Sequence, residues 1–77
     1  MNLVNEKQSR WIFGKANELV NKYATCFPVT DDDWIELRND AEKIIQDSKG
    51  DALCIKVIMA TLNYFDQVYR ENMKESD

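Results

Sequence analysis

The sequence predicts an all-α fold, a small three-helix up-down bundle that residues 1–77 form as a single domain. A length of 77 residues suits one small domain. Two glycines and one proline leave little material for β-turns. Apolar residues recur at helical spacing in three stretches, and short segments rich in turn and cap residues separate those stretches.

The first predicted helix spans approximately residues 5–26. Its apolar residues share one helical face, and they are Ile12, Ala16, Leu19, Val20, Tyr23 and Phe27. Pro28 follows and disfavours a helical conformation at the residue before it. Gly14 lies in the middle of this helix, where glycine costs about 1 kcal/mol relative to alanine. It either allows the close approach of another helix or marks a break after Phe13.

The second predicted helix spans approximately residues 31–48. Thr30 is a good N-cap, and Asp33 can complete a capping box with it. Its narrow apolar face consists of Trp34, Leu37, Ala41, Ile44, Ile45 and Ser48. Gly50 ends the helix, and Asp51 is the N-cap of the next helix. Connections this short join antiparallel neighbours, which gives the up-down-up order.

The third predicted helix, approximately residues 52–73, carries two adjoining apolar stripes. The first stripe consists of Cys54, Ile55, Ile58, Leu62, Phe65, Tyr69 and Met73. The second stripe consists of Leu53, Val57, Ala60, Tyr64 and Val68. A surface helix usually needs an apolar stripe only a little over 100° wide. The third helix therefore either contacts both other helices at once or uses its second stripe to bind a partner.

Five apolar residues are the main candidates for partner binding: Trp11, Leu53, Val57, Tyr64 and Val68. Trp11 projects away from the main face of the first helix, and tryptophan is often the anchor of a protein interface. In the alternative interpretation, Trp11 and Val4 cover one end of the bundle against Trp34 or Tyr64.

The charge of the chain limits its partners, because a net charge of −4 disfavours general attraction to nucleic acid or anionic lipid. The second helix is the acidic one, and five of its carboxylates could imitate the charge spacing of a nucleic-acid backbone: Asp32, Asp33, Glu36, Asp40 and Asp47. A solvated acidic face is the alternative. Acids are favoured in the first turn of any helix, and others can pair with Lys7, Lys15 or Lys22.

Catalytic chemistry finds little support in the sequence. The chain has no histidine, which removes the usual general base and the commonest transition-metal ligand. Cys26 and Cys54 fall at opposite ends of the expected bundle, so they are predicted to be free thiols and cannot form a zinc site. There is no glycine-rich phosphate loop. We expect no enzyme activity, no cofactor and no metal.

The distribution of apolar and basic residues also predicts where the protein is located and whether it binds nucleic acid. No apolar run approaches the roughly 20 residues of a membrane span, and the segment from Met1 to Arg10 is polar, so a cytoplasmic protein without membrane contact is expected. A helix-turn-helix reader would present basic or amide side chains from the start of its recognition helix. The third helix offers only Lys56 there, which argues against direct nucleic-acid binding.

In size and composition the chain resembles small helical accessory proteins of prophages and mobile elements in low-GC bacteria. That resemblance implies a regulator, an antitoxin or an inhibitor of a host defence system. Two functions are therefore expected. The first is a non-enzymatic interaction protein that binds another protein, or itself as a homodimer, through the apolar flank of the third helix. The alternative is an acidic inhibitor that acts as a nucleic-acid mimic through the carboxylates of the second helix.

Overall fold

The computed structural model describes residues 5–74, and side chains as far as residue 72. This part of the chain forms three helices: α1 (Glu6–Ala24), α2 (Asp31–Asp47) and α3 (Ala52–Lys74). The predicted all-α three-helix bundle is confirmed, and each predicted helix end lies within two residues of the observed one. Val4 lies outside the described residues.

Each helix begins at a residue whose side chain accepts a hydrogen bond from the first turn. The Asn5 side chain accepts a bond of 3.1 Å from the Gln8 backbone N–H at the start of α1. At the start of α2, Thr30 and Asp33 form the predicted capping box, with both bonds at 3.1 Å. The Asp51 carboxylate accepts a bond of 3.1 Å from the Cys54 backbone N–H in α3. Such caps satisfy backbone donors that have no partner inside the helix.

A tight turn joins α2 to α3 and reverses the chain direction. Lys49 and Gly50 both have positive φ, at 61° and 73°, and the Gly50 N–H donates to the Ile45 carbonyl at 3.1 Å. Gly50 adopts the left-handed region without steric cost, as the sequence predicts, but the left-handed residue directly after the cap residue Ser48 is Lys49. The Ser48 hydroxyl donates to the Ile45 carbonyl at 2.6 Å and accepts from the Asp51 N–H at 3.2 Å. Ser48 therefore links the end of α2 to the start of α3.

The core lies along the line where the three helices meet. Its buried members come from every helix: Ile12, Ala16, Leu19, Tyr23, Leu37, Ala41, Cys54, Ile58 and Phe65. α3 packs against both other helices more extensively than α1 and α2 pack against each other. Most of the first predicted stripe of α3 faces this core, although Ile55 is 39% exposed.

An aromatic cluster closes the bundle end that contains the loop between α1 and α2. Phe27 contacts Phe65 and Trp34 with ring centroids 5.6 Å and 6.5 Å apart, and Trp34 contacts Tyr69 at 5.5 Å. The Tyr23 and Phe65 rings are 6.1 Å apart. Trp34 therefore packs against Phe27 and Tyr69, at the end of the bundle opposite the start of α1. It does not pack against Trp11.

Two sequence-based expectations about Gly14 are wrong. α1 continues through Gly14 without a break, and a Cβ atom there would have no other atom within 4 Å. Gly14 is therefore neither a break nor a close-approach site. The prediction for the cysteines is confirmed, since both are free, but Cys26 is exposed whereas Cys54 is fully buried.

Candidate functional site

α3 exposes apolar side chains on both sides of its buried stripe. On the side that faces α2, Met59 and Leu62 border a groove between the two helices. The opposite side faces α1, and it carries the second predicted stripe. We call that surface the α1/α3 edge and define it by Leu53, Val57, Ala60, Tyr64 and Val68.

Exposure varies along the α1/α3 edge. Tyr64 is 56% exposed and Leu53 is 36% exposed. Val57 and Val68 are half-buried, and Val57 packs against the core. The Tyr64 ring meets the Phe65 ring edge-on at 5.9 Å. The second stripe therefore contributes to packing and still leaves apolar surface exposed, and its use in partner binding stays a prediction.

The structure does not bring Trp11 together with the other four apolar candidates. Trp11 is half-buried against the core, and the Lys15 amine lies 5.9 Å from its ring. Lys15 lines the groove between α1 and α2. Residues four apart share one helical face, so Trp11 lies on the side of α1 that faces α2.

Phe13 is an apolar surface residue that the sequence interpretation missed. It is 55% exposed and lies about 200° around α1 from Trp11, on the flank towards α3. Half-buried Val20, seven residues later, lies on the same flank. The seven-residue spacing of Phe13 and Val20 is the sequence signal that indicates this shared flank. Phe13 replaces Trp11 as the aromatic residue of α1 on the side of the α1/α3 edge.

The groove between α2 and α3 has a volume of about 460 Å³. Trp34, Leu37 and Ala41 line it from α2. Met59 lines it from α3 and is 47% exposed. Charged residues also border it, namely Arg38 and Glu42 of α2 and Asp66 of α3. We call this surface the α2/α3 groove.

A polar cluster links α1 to α2. The Asp40 carboxylate accepts hydrogen bonds of 2.7 Å from the Lys22 amine and 2.7 Å from the Tyr23 hydroxyl. Burial raises the pKa of Tyr23 to about 12, and the hydrogen bond to Asp40 adds to this effect. Partial burial acts to raise the pKa of Asp40, but the bonds from Lys22 and Tyr23 outweigh it and leave the pKa below its ordinary value. The Asp40 bond is also the main cause of the raised pKa of Lys22.

The five acidic candidates of α2 do not form one uninterrupted row. The Asp33 carboxylate accepts hydrogen bonds from the backbone N–H groups of Thr30 and Val29, and these hold its pKa below the ordinary value. Asp40 is engaged by Lys22 and Tyr23, as described above. Glu36 lies 3.5 Å from the Lys22 amine. Asp32 and Asp47 are exposed, although Asp47 lines a groove that also contains three lysines.

Metal binding and membrane spanning find no support in the described part of the chain. No group of three or more acidic, cysteine or histidine residues among residues 5–74 could hold a metal ion. None of the described helices is long and apolar enough to cross a membrane. Comparison with protein-family models, with curated proteins and with solved structures found no match.

Proposed function

We propose that this chain is a non-enzymatic interaction protein that binds another protein, or a second copy, through the α1/α3 edge. The observation that carries the proposal is the exposure of Tyr64 and Leu53 on α3, with Phe13 exposed on the adjoining flank of α1. Contiguous exposed apolar surface usually marks a binding site. Aromatic side chains are enriched at interface centres, where tyrosine can bury its ring and keep its hydroxyl near water.

The half-buried members of the edge support this role. Val57 and Val68 are held by the bundle, so they offer a surface that is ordered before binding. A preorganised surface loses less conformational entropy when a partner binds. We also propose that the chain is an accessory protein of a phage or mobile element and that it acts in the cytoplasm.

Photo-crosslinking at position 64 tests the proposed surface. The variant Tyr64→p-benzoylphenylalanine is irradiated in producing cells and, separately, as pure protein. Asn21, an exposed polar residue of α1, provides the matched control position. A discrete product at position 64 and none at position 21 is expected. The pure protein distinguishes a second copy from a different partner. Equal products from both positions, or none from position 64, would contradict the proposal.

The acidic-inhibitor alternative now depends on the exposed carboxylates of Asp32, Glu36 and Asp47. Charge reversal at Asp40 is not a clean test, because it would also break the contacts with Lys22 and Tyr23. The double variant D32K/D47K leaves the contacts of Asp40 with Lys22 and Tyr23 unchanged. An acidic inhibitor should lose binding to its basic target in this variant and at high salt. The interaction protein proposed above should keep its Tyr64 crosslink under both conditions.

A further inference from the structure

One face of α2 borders the α2/α3 groove and lies largely outside the core, although Ile45 packs against the core. It consists of Ile35, Arg38, Glu42 and Ile45, at spacings of three, four and three residues. Such spacing places side chains along one seam of a helix. Ile35 is 56% exposed, Arg38 and Glu42 are exposed, and Ile45 is half-buried. We call this surface the α2 seam.

We propose that the α2 seam pairs with the α2 seam of a second copy, antiparallel and about a two-fold axis. The seam has the same order from either end: an isoleucine, a charged residue, a charged residue of opposite sign, and an isoleucine. Antiparallel pairing places Ile35 beside Ile45 of the partner subunit. It places Arg38 beside Glu42 of the partner subunit, and the symmetry repeats both contacts.

The two charges of the α2 seam are available for this pairing. Salt bridges among the described residues involve Lys15, Lys22 and Arg70, and none involves Arg38 or Glu42. Within one helix, an acid four residues after a base is the less favourable order. A second copy supplies each charge with an opposite partner, so the pattern is self-complementary.

Apolar surface beside the α2 seam contributes to the same contact. Met59 is 47% exposed and Leu62 is half-buried, and both line the α2/α3 groove. A helix packed alongside another lies about 8–10 Å from it, close enough for these α3 side chains to contact the second copy. α2 has 17 residues and is therefore about 26 Å long. An interface of this length is small, so the dimer is weak and concentration-dependent.

The α2 seam lies beside the flank of α3 that faces α2, whereas the α1/α3 edge lies on the flank of α3 that faces α1. Pairing through α2 therefore leaves Tyr64 and Leu53 accessible to a different partner. The inference goes beyond the proposed function, because it assigns self-association to a surface that the proposed function does not use. A dimer of this kind would present two α1/α3 edges, which increases the apparent affinity for any partner with repeated binding sites.

Charge exchange within the α2 seam tests the pairing. In Arg38→Glu, every copy carries two acids in its α2 seam. In Glu42→Arg, every copy carries two bases there. Each variant alone should dissociate at least about tenfold more readily than the wild type, because two attractive contacts become repulsive. An equimolar mixture of the two variants should recover dimer, and so should the double variant R38E/E42R. Sedimentation equilibrium measures these four samples and the wild type, and circular dichroism confirms that each is folded.

Tyr64→Glu provides the control for the other surface and should leave the dimer unchanged. Recovery of dimer in the mixture, with neither single variant dimeric, supports antiparallel pairing. A wild-type chain that stays monomeric up to about 1 mM would overturn the inference. Single variants that dimerise as well as the wild type would also overturn it. A dimer abolished by Tyr64→Glu alone would assign self-association to the α1/α3 edge and leave the proposed function intact.

Discussion

At the scale of single residues, the contacts of Asp40 are the most consequential polar feature of the structure. Its carboxylate joins Lys22 and Tyr23 across the least extensive of the three helix interfaces. Tyr23 is itself a core residue, 5% exposed, so its hydroxyl needs a partner at the core boundary. The cluster therefore combines apolar packing with a specific polar contact that fixes how α1 and α2 meet.

Removal of the Tyr23 hydroxyl should lower the free energy of unfolding. In Tyr23→Phe the ring still packs against Phe65, but Asp40 loses one of its two close donors. We expect a loss of about 1 kcal/mol, the usual net value of such a hydrogen bond. Urea denaturation measures it. Tyr64→Phe is the matched control, because the Tyr64 hydroxyl makes no hydrogen bond within residues 5–74, and it should change stability by less than about 0.5 kcal/mol.

Stability should also fall in acid because of Asp33 and Asp40. Backbone hydrogen bonds from Thr30 and Val29 are the main causes of the lowered pKa of Asp33, and Lys22 and Tyr23 lower that of Asp40 despite its partial burial. Both folded-state pKa values lie below the ordinary 3.8. The stabilisation is therefore present above that value and is lost as the pH falls through the folded-state values.

Thermal unfolding between about pH 6 and pH 2 checks this expectation. The melting temperature of the wild type should fall towards the acid end. The double variant D33N/D40N should show a smaller decrease over the same range, because it lacks both titrating groups. An identical pH profile for the two proteins would show that other groups control the acid response.

At the scale of the helices, the sequence predicted each element well because its signals are local. The capping box of Thr30 and Asp33 and the turn at Gly50 involve residues only a few positions apart. The surfaces were predicted less well. Which flank of α1 meets α3 depends on the rotation of one helix against another, and local spacing does not contain that information. Trp11 was therefore placed with the α3 stripe, whereas Phe13 lies on the flank of α1 towards α3.

Gly14 gives the clearest element-scale expectation. α1 is regular around it and the space beside it is empty, so Gly14→Ala should raise the free energy of unfolding by about 0.5–1 kcal/mol. Chemical denaturation measures the change. Gly50→Ala is the opposite control, because the φ of +73° at Gly50 is unfavourable for alanine, and it should lower stability by about 1 kcal/mol. A loss of stability in Gly14→Ala would contradict the empty space described beside this position.

At the scale of the whole molecule, α3 is the helix on which the other two depend. Cys54, Ile58 and Phe65 are buried along its length, and they meet core residues from both other helices. From the sequence, the width of the apolar surface on α3 indicated either this double contact or a surface for a partner. The sequence could not distinguish the buried part of that surface from the exposed part. Both parts have the same composition, and only the positions of α1 and α2 separate them.

Two isoleucines of α3 allow a matched test of this distribution. Ile58 is fully buried and Ile55 is 39% exposed, and both lie within the same helix. Ile58→Ala should lose about 3 kcal/mol, whereas Ile55→Ala should lose less than about 1 kcal/mol. In a domain of 77 residues, the first loss is a large fraction of the total stability. Similar losses for the two variants would contradict the described packing of α3.

The dependence on α3 also determines when the chain can fold during its synthesis. The ribosome makes α1 and α2 first, and these two helices share the least extensive of the three interfaces. Until α3 emerges, the apolar faces around Ile12 and Leu37 have no cover and are open to chaperones. A nascent chain that stops before α3 should therefore be sensitive to protease. Resistance should appear in a single step once α3 has left the exit tunnel, because α1 and α2 alone share only the least extensive interface.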